Sequence, residues 1–177
     1  LTQKDDNIIM YNNSDDKNDF NDIFIPYHCS FMISSGLGLD NIITLNRRKR
    51  FHVNYSEIHS FWIADEDVEL IIPKKFKDLK TGKFIPYSEV LKQGLSNFQF
   101  LEDLNKSGYD CVSNTPEEIL EAVKEIEFFH TKKKYLNDDM DFYNEKFRKI
   151  YFNYCGYKIK KTKICNIFKQ INKDLIN

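Results

Sequence analysis

A run of small residues at positions 34–40, Ser-Ser-Gly-Leu-Gly-Leu-Asp, separates two segments with different hydrophobic patterns. Residues 30–34 contain a short apolar run of strand length, whereas residues 41–46 have apolar side chains at helical spacing. A strand, a tight turn and a helix in this order direct backbone N–H groups and the positive end of a helix toward an anion. The segment therefore predicts a phosphate-bearing ligand at the turn, and leaves the chemistry open.

The glycines of this turn match part of the dinucleotide-binding pattern G-x-G-x-x-G. Gly36 and Gly38 occupy the first two glycine positions, and Asn41 stands where the third would be. The third glycine permits close helix–strand packing in dinucleotide sites, so its absence argues against a standard NAD site. We expect Ser34 and Ser35 to donate hydrogen bonds to phosphate oxygens. The alternative is a glycine turn that only reverses the chain.

Acidic and amide side chains near the same sheet edge are further candidates. Asp40 suits the first turn of a helix but would repel phosphate, so we expect it to cap the helix or to face a ribose hydroxyl. Asn54 follows directly on a predicted strand and is placed to hydrogen-bond a ligand. Glu57 and His59 form a carboxylate–imidazole pair that could serve as an acid/base couple, the alternative being two surface loop residues.

Predicted strands and helices alternate through the first 130 residues. The predicted strands are residues 7–11, 30–34, 50–54, 68–72 and 109–113, and the predicted helices are 19–28, 41–48, 86–94 and 115–130. The last of these helices begins with a capping box formed by Thr115 and Glu118. Short, largely apolar strands in this order predict an α/β fold with a doubly wound, mainly parallel, Rossmann-like sheet.

The charge distribution divides the chain into two parts. From Thr131 onward there are 12 Lys/Arg against 5 Asp/Glu, a local charge of +7 in a chain whose net charge is −1. We predict an α/β domain over residues 1–135 and a basic helical C-terminal extension over residues 136–177. The extension could contact an anionic membrane surface, or could present a solvated lysine-rich face. No RNA-binding aromatic signature accompanies the charge, so no nucleic-acid partner is expected.

Cysteine and histidine usage indicates neither a disulfide framework nor a metal site. The four cysteines and four histidines are scattered, without C-x-x-C or metal-ligand spacing. Reduced thiols suggest a cytoplasmic setting. We find no apolar run of the roughly 18–20 residues that a membrane span needs, and the polar start does not resemble a signal peptide.

Five segments occur in an order that resembles one protein family. The segments are residues 31–38, 51–54, 71–75, 88–91 and 113–119. Together they resemble the C-terminal part of bacterial glycosyltransferases linked to surface-polysaccharide synthesis, which have two Rossmann domains (GT-B architecture). The turn is also similar to the Thr-Gly-Leu-Ser-His motif of lipopolysaccharide heptosyltransferases, with Ser35-Gly36-Leu37-Gly38-Leu39 in its place.

This resemblance implies a donor-binding domain that takes a nucleotide diphosphate sugar for transfer to a surface glycan. Ser35, Gly36 and Leu37 would face the diphosphate, and neither a metal nor a further cofactor would be needed. The resemblance places the acceptor-binding domain and the catalytic base in an N-terminal half outside these residues, so the catalytic residues are unknown. It also implies a cytoplasmic protein at the inner face of the plasma membrane.

Two departures from the family pattern concern the same edge of the sheet. Leu39 stands where the heptosyltransferase motif has histidine, and Arg50 stands where related sequences have proline before the next strand. The chain could therefore bind donor without turnover. The alternatives are a non-catalytic nucleotide-binding or interaction module and, less favoured by the missing glycine, a Rossmann oxidoreductase.

Overall fold

The computed structural model describes residues 8–36, 38–60, 68–132, 141–158 and 163–176. The strands are β1 (Phe31–Ser34), β2 (Lys49–Tyr55), β3 (Val68–Pro73), β4 (Lys75–Asp78), β5 (Tyr109–Val112) and β6 (Lys163–Ile164). The helices are α1 (Asp19–His28), α2 (Asp40–Leu45), α3 (Tyr87–Lys92), α4 (Leu101–Lys106), α5 (Pro116–Lys132), α6 (Asp141–Cys155) and α7 (Asn166–Ile171). The predicted α/β class is therefore confirmed.

The main sheet has four parallel strands in the order β1-β2-β3-β6. Strands β1 and β2 are in continuous register from Phe31 opposite Lys49 to Ser34 opposite His52. The pairing of β2 with β3 shifts between His52 and Tyr55. The described strands follow chain order across the sheet, and no reversal of strand order occurs among them, so the doubly wound arrangement stays a prediction. The sheet is parallel and compatible with a Rossmann-like fold.

Strands β4 and β5 form a separate antiparallel pair, with Lys75 opposite Val112. Residues 109–113 were expected to join the parallel sheet, but β5 pairs only with β4 among the described strands. Strand β3 ends at Pro73, one residue beyond the predicted strand at residues 68–72, and the chain does not enter a solvated turn there. Instead β4 begins at Lys75, whose side chain is buried because its ammonium group forms a 2.9 Å ion pair with Glu118.

The predicted N-terminal strand at residues 7–11 is also wrong. Residues 8–10 have no regular structure, and a 3₁₀ helix follows at Tyr11–Asn13. Ile9 is 80% exposed, so the described part of this apolar run does not pack into the core. The predicted helix at residues 19–28 is confirmed as α1. Its N-terminus is capped by Asn18, whose side chain accepts from the backbone N–H of Asn21 at 2.9 Å.

The capping box of α5 forms as predicted. The backbone N–H of Thr115 donates to Glu118 Oε2 at 2.8 Å, and the backbone N–H of Glu118 donates to Thr115 Oγ1 at 3.2 Å. Glu118 Oε1 also accepts from the side-chain amide of Asn172 at 3.1 Å. One carboxylate therefore joins the start of α5 to β4 and to the C-terminal region.

The C-terminal region takes part in the main sheet and in its core. Strand β6 pairs with β3, and the Ile164 N–H donates to the side-chain oxygen of Asn144 at 3.0 Å. The principal core cluster contains residues from both sides of position 135, including Ile71, Tyr87, Tyr151 and Phe168. Burial therefore does not follow the predicted boundary between residues 135 and 136. Among the described helices, none has the length and apolarity to cross a membrane.

Candidate functional site

A cleft opens at the carboxyl ends of β1 and β2, the sheet edge where parallel α/β folds bind ligands. Its cavity volume is about 150 Å³. The turn after β1 supplies Ser35 and Gly36, and the first residue of α2 supplies Asp40. Strand β2 supplies Arg50, His52 and Tyr55. Beyond the end of β2, the lining continues with Ser56, Glu57 and Ser60.

The backbone of the turn requires glycine at position 36. Gly36 has φ +95°, a left-handed conformation that L side chains rarely adopt. Its N–H donates to the hydroxyl of Ser34 at 3.1 Å, so the Ser34 hydroxyl serves the turn rather than lining the cleft. A Cβ atom at Gly36 would lie 3.5 Å from the Tyr55 ring. Gly38 has neither constraint: its φ is not positive, and no described atom lies within 4 Å of a Cβ built there.

Asp40 and His52 form a buried hydrogen-bonded pair inside the cleft wall. His52 Nε2 lies 3.0 Å from Asp40 Oδ2, and both side chains are about 95% buried. Arg50 adds a third member, because its Nη1 donates to the backbone oxygen of Asp40 at 3.3 Å and lies 3.9 Å from Oδ2. Arg50 and His52 are two positions apart on β2, so they project from the same face of the strand.

Each member of this triad keeps one buried polar atom without a hydrogen-bond partner among the described residues. These atoms are Asp40 Oδ1, Arg50 Nε and His52 Nδ1. Buried polar groups in native proteins are nearly always paired, and an unpaired one costs about 1–3 kcal/mol. Three such atoms beside one cleft indicate that a polar ligand or water completes the site.

The imidazole of His52 is held in its neutral form. Burial lowers its pKa below the ordinary 6.5, and the positive charge of Arg50 lowers it further, against the opposing effect of Asp40. The Tyr55 ring stacks on the imidazole with centroids 4.9 Å apart. If the neutral ring donates through Nε2 to the Asp40 carboxylate, then Nδ1 presents a lone pair and acts as an acceptor.

The expected Glu57–His59 couple is not brought together in the cleft. Glu57 lines the cleft, and its backbone oxygen accepts from the Ser60 hydroxyl at 2.9 Å. His59 is not a lining residue, and its backbone oxygen accepts from the Tyr151 hydroxyl at 3.1 Å. The imidazole that lies in the cleft with the carboxylates of Asp40 and Glu57 is that of His52, not His59.

Asn54 serves the fold rather than the cleft. Its N–H donates to Asn114 Oδ1 at 2.8 Å, and the N–H of Asn114 donates back to Asn54 Oδ1 at 2.6 Å. Asn54 also has φ +54°, at the place where the β2–β3 register shifts. Because the Asn54 side chain is hydrogen-bonded to Asn114 and Asn54 does not line the cleft, the predicted contact between Asn54 and the ligand is not supported.

The prediction that the N-terminus of a helix binds the phosphate is not supported either. Helix α2 ends at Leu45, short of the predicted Arg48, and has only six residues. The Asp40 carboxylate already occupies its N-terminus, where the anion was expected. The described cation of the cleft is instead Arg50 on β2.

The structure therefore brings together part of the predicted set. Ser35, Gly36, Asp40 and Glu57 line the cleft, whereas Ser34, Gly38 and Asn54 do not, and Leu37 lies outside the described residues. Sequence reasoning missed Arg50, His52 and Tyr55 as site residues. The alternation of polar residues at positions 50 and 52 with the apolar Phe51 and Val53 was the available signal.

Comparisons with known proteins give no assignment: no family model, curated protein or solved structure matches the chain. Within the described residues, no group of three or more His, Cys, Asp or Glu side chains is arranged to hold a metal ion.

Proposed function

We propose that this cleft binds a nucleotide diphosphate sugar, and that the chain is the donor-binding half of a GT-B glycosyltransferase that transfers the sugar to a surface glycan. The observation that carries the proposal is the set of unpaired buried atoms on Asp40, Arg50 and His52. A ligand that both donates and accepts hydrogen bonds would satisfy all three.

The acidic side of the cleft suits sugar hydroxyl groups. Carboxylates and a neutral imidazole nitrogen accept hydrogen bonds from hydroxyls, and such acceptors come from Asp40, Glu57 and His52. The Ser35 and Ser60 hydroxyls can act as donors or acceptors beside them. This lining matches a polyhydroxylated ring better than an apolar ligand.

The diphosphate would lie against Arg50. A guanidinium group binds phosphate oxygens through charge-assisted hydrogen bonds, and the Nε–H of Arg50 has no described acceptor. In transfer, an acceptor hydroxyl oxygen bonds to the anomeric carbon and loses its proton to the catalytic base while the bond from the anomeric carbon to the phosphate oxygen breaks. The Arg50 cation would stabilise the negative charge left on the diphosphate.

In this proposal, an N-terminal half outside this chain binds the acceptor glycan and supplies the catalytic base. Peripheral membrane contact through the C-terminal lysines is part of the same proposal. The second candidate, a nucleotide-binding module without turnover, is favoured by the enclosure of His52 between Asp40 and Tyr55. Either function requires the same ligand in the cleft.

The test is calorimetric titration of the chain with a panel of nucleotide diphosphate sugars and with NAD. We expect saturable binding of at least one nucleotide sugar, and a loss of about tenfold or more in Arg50→Gln, since a charged hydrogen bond contributes about 1.5–3 kcal/mol. The control Lys106→Gln removes an exposed cation of α4 and should bind normally. Binding of NAD alone would support the oxidoreductase, and the absence of any binding would contradict the proposal.

A further inference from the structure

A second cleft adjoins the first and has a different character. Its cavity volume is about 160 Å³, and Ser56 lines both clefts. Its walls come from Phe76 on β4, from Leu104 on α4 and from the segment between α3 and α4. It is therefore built by elements that contribute nothing to the triad of Asp40, Arg50 and His52.

Two aromatic side chains stand at this second cleft with much of their surface exposed. Phe98 is 41% exposed and Phe100 is 61% exposed. Both line the cleft. Two exposed rings beside one cavity provide faces on which a flat ring can stack, and the stacking of a base on an aromatic side chain is tolerant of base identity. Phe76, Leu95 and Leu104 add apolar side chains to the wall, and burial raises the pKa of the lining thiol of Cys111 to about 11, which keeps it uncharged.

A buried hydroxyl in the same cleft lacks a hydrogen-bond partner. Ser96 is 6% exposed, and its Oγ finds no partner among the described residues. The amide of Gln99 also lines the cleft. A hydroxyl and an amide can each donate and accept, so together they match the alternating N–H and C=O groups on the edge of a heterocycle.

Lys74 connects the two clefts. Lys74 belongs to the lining of the second cleft, and its backbone N–H donates to the backbone oxygen of Tyr55 at 2.8 Å. Tyr55 lines the first cleft. A cation at this junction is suited to an anionic group that joins the occupant of one cleft to the occupant of the other.

We propose that the second cleft is a subsite for the nucleobase, with the base stacked on Phe98 and Phe100 and its edge hydrogen-bonded to Ser96 and Gln99. The assignment rests on the proposed function, since the diphosphate runs from this subsite past Lys74 and Ser56 to Arg50. The sugar then occupies the first cleft, and the two clefts divide the donor into an aromatic end and a polyhydroxylated end.

The test compares four nucleoside diphosphates (UDP, CDP, GDP and ADP) with inorganic pyrophosphate by calorimetry on the whole chain. We expect the best of the four to bind at least about tenfold more tightly than pyrophosphate, because pyrophosphate has no base to stack on the aromatic side chains. The double variant F98A/F100A should bind that nucleotide no more tightly than pyrophosphate. The control F142A removes a ring that is 65% exposed on α6 and lines neither cleft, and should bind normally.

Equal affinities for pyrophosphate and all four nucleotides, or an unchanged affinity in F98A/F100A, would overturn the subsite. If the double variant does not fold by circular dichroism, F100A alone carries the same comparison. If neither pyrophosphate nor any nucleotide binds, the donor proposal fails, and saturation-transfer NMR with the free nucleosides then decides the subsite separately. Saturation-transfer signals of a nucleoside that appear with the native chain and disappear with F100A support the nucleobase subsite. The absence of such signals with the native chain overturns the subsite.

Discussion

The imidazole of His52 and the carboxylate of Asp40 form a 3.0 Å hydrogen bond inside the cleft wall, although twelve positions separate them in the chain. His52 is on β2 and Asp40 begins α2, so the pair joins the strand to the helix that precedes it. Both side chains are buried, yet each keeps one polar atom unpaired. The pair thus contributes to the fold and also defines the polar wall of the candidate site.

Burial of a neutral imidazole makes stability depend on pH. Unfolded His52 titrates near its ordinary pKa of 6.5, whereas the folded pKa is lower because of burial and Arg50. Between these two values the unfolded chain binds a proton that the folded chain does not. The free energy of unfolding must therefore fall as the pH is lowered through 6.5 toward the folded pKa.

Urea denaturation at pH 7.5 and pH 5.5 measures this effect. We expect the native chain to lose stability between these conditions and His52→Gln to lose less over the same interval. The control is His28→Gln, which replaces an exposed histidine at the end of α1. An identical pH dependence in the native chain and in His52→Gln would contradict the prediction.

The two glycines of the turn should respond differently to substitution. Gly36→Ala places a side chain at φ +95° and adds a methyl group in contact with Tyr55, so we expect a loss of about 1–2 kcal/mol. Gly38→Ala meets no described atom within 4 Å and has no left-handed backbone, so it should be neutral or slightly stabilising. Thermal unfolding of the two variants makes the comparison, and equal losses would refute it.

Glu118 should be far more sensitive than the glutamate beside it. Its carboxylate is buried, pairs with Lys75 and caps α5, so Glu118→Ala leaves a buried ammonium group and an open helix end. We expect a loss of about 3–5 kcal/mol by chemical denaturation. Glu117→Ala changes an exposed residue of the same turn and should remain within about 0.5 kcal/mol of the native chain. Similar losses for the two variants would show that the ion pair contributes little.

The Asn54–Asn114 pair should affect stability without affecting ligand binding. Asn114→Ala removes the acceptor for the Asn54 N–H and the amide that donates to the backbone oxygen of Pro73 at 2.9 Å. Two interior backbone groups then lose their partners, and we expect a loss of about 2 kcal/mol or more. The affinity of the folded variant for a nucleotide sugar, measured by calorimetry, should stay native. A lower affinity at full folding would place this pair in the site.

Local features of the sequence were sufficient to predict several helices and strands. The capping box at Thr115 and Glu118 predicted the start of α5, because its hydrogen bonds join residues only three positions apart. The apolar run before the glycine turn also predicted β1. The run at residues 7–11 was also predicted to be a strand, but no described strand pairs with residues 8–10, which are exposed and irregular.

The sequence by itself determined the α/β class and the position of the glycine turn, since these depend on hydrophobic period and on the small residues between strand and helix. Only the tertiary structure decided which polar residues meet. Parallel pairing of β1 with β2 brings the turn beside Arg50 and His52, and a register shift directs Asn54 toward Asn114. A site assembled across strands depends on strand order and register, which distant residues fix and no local pattern contains.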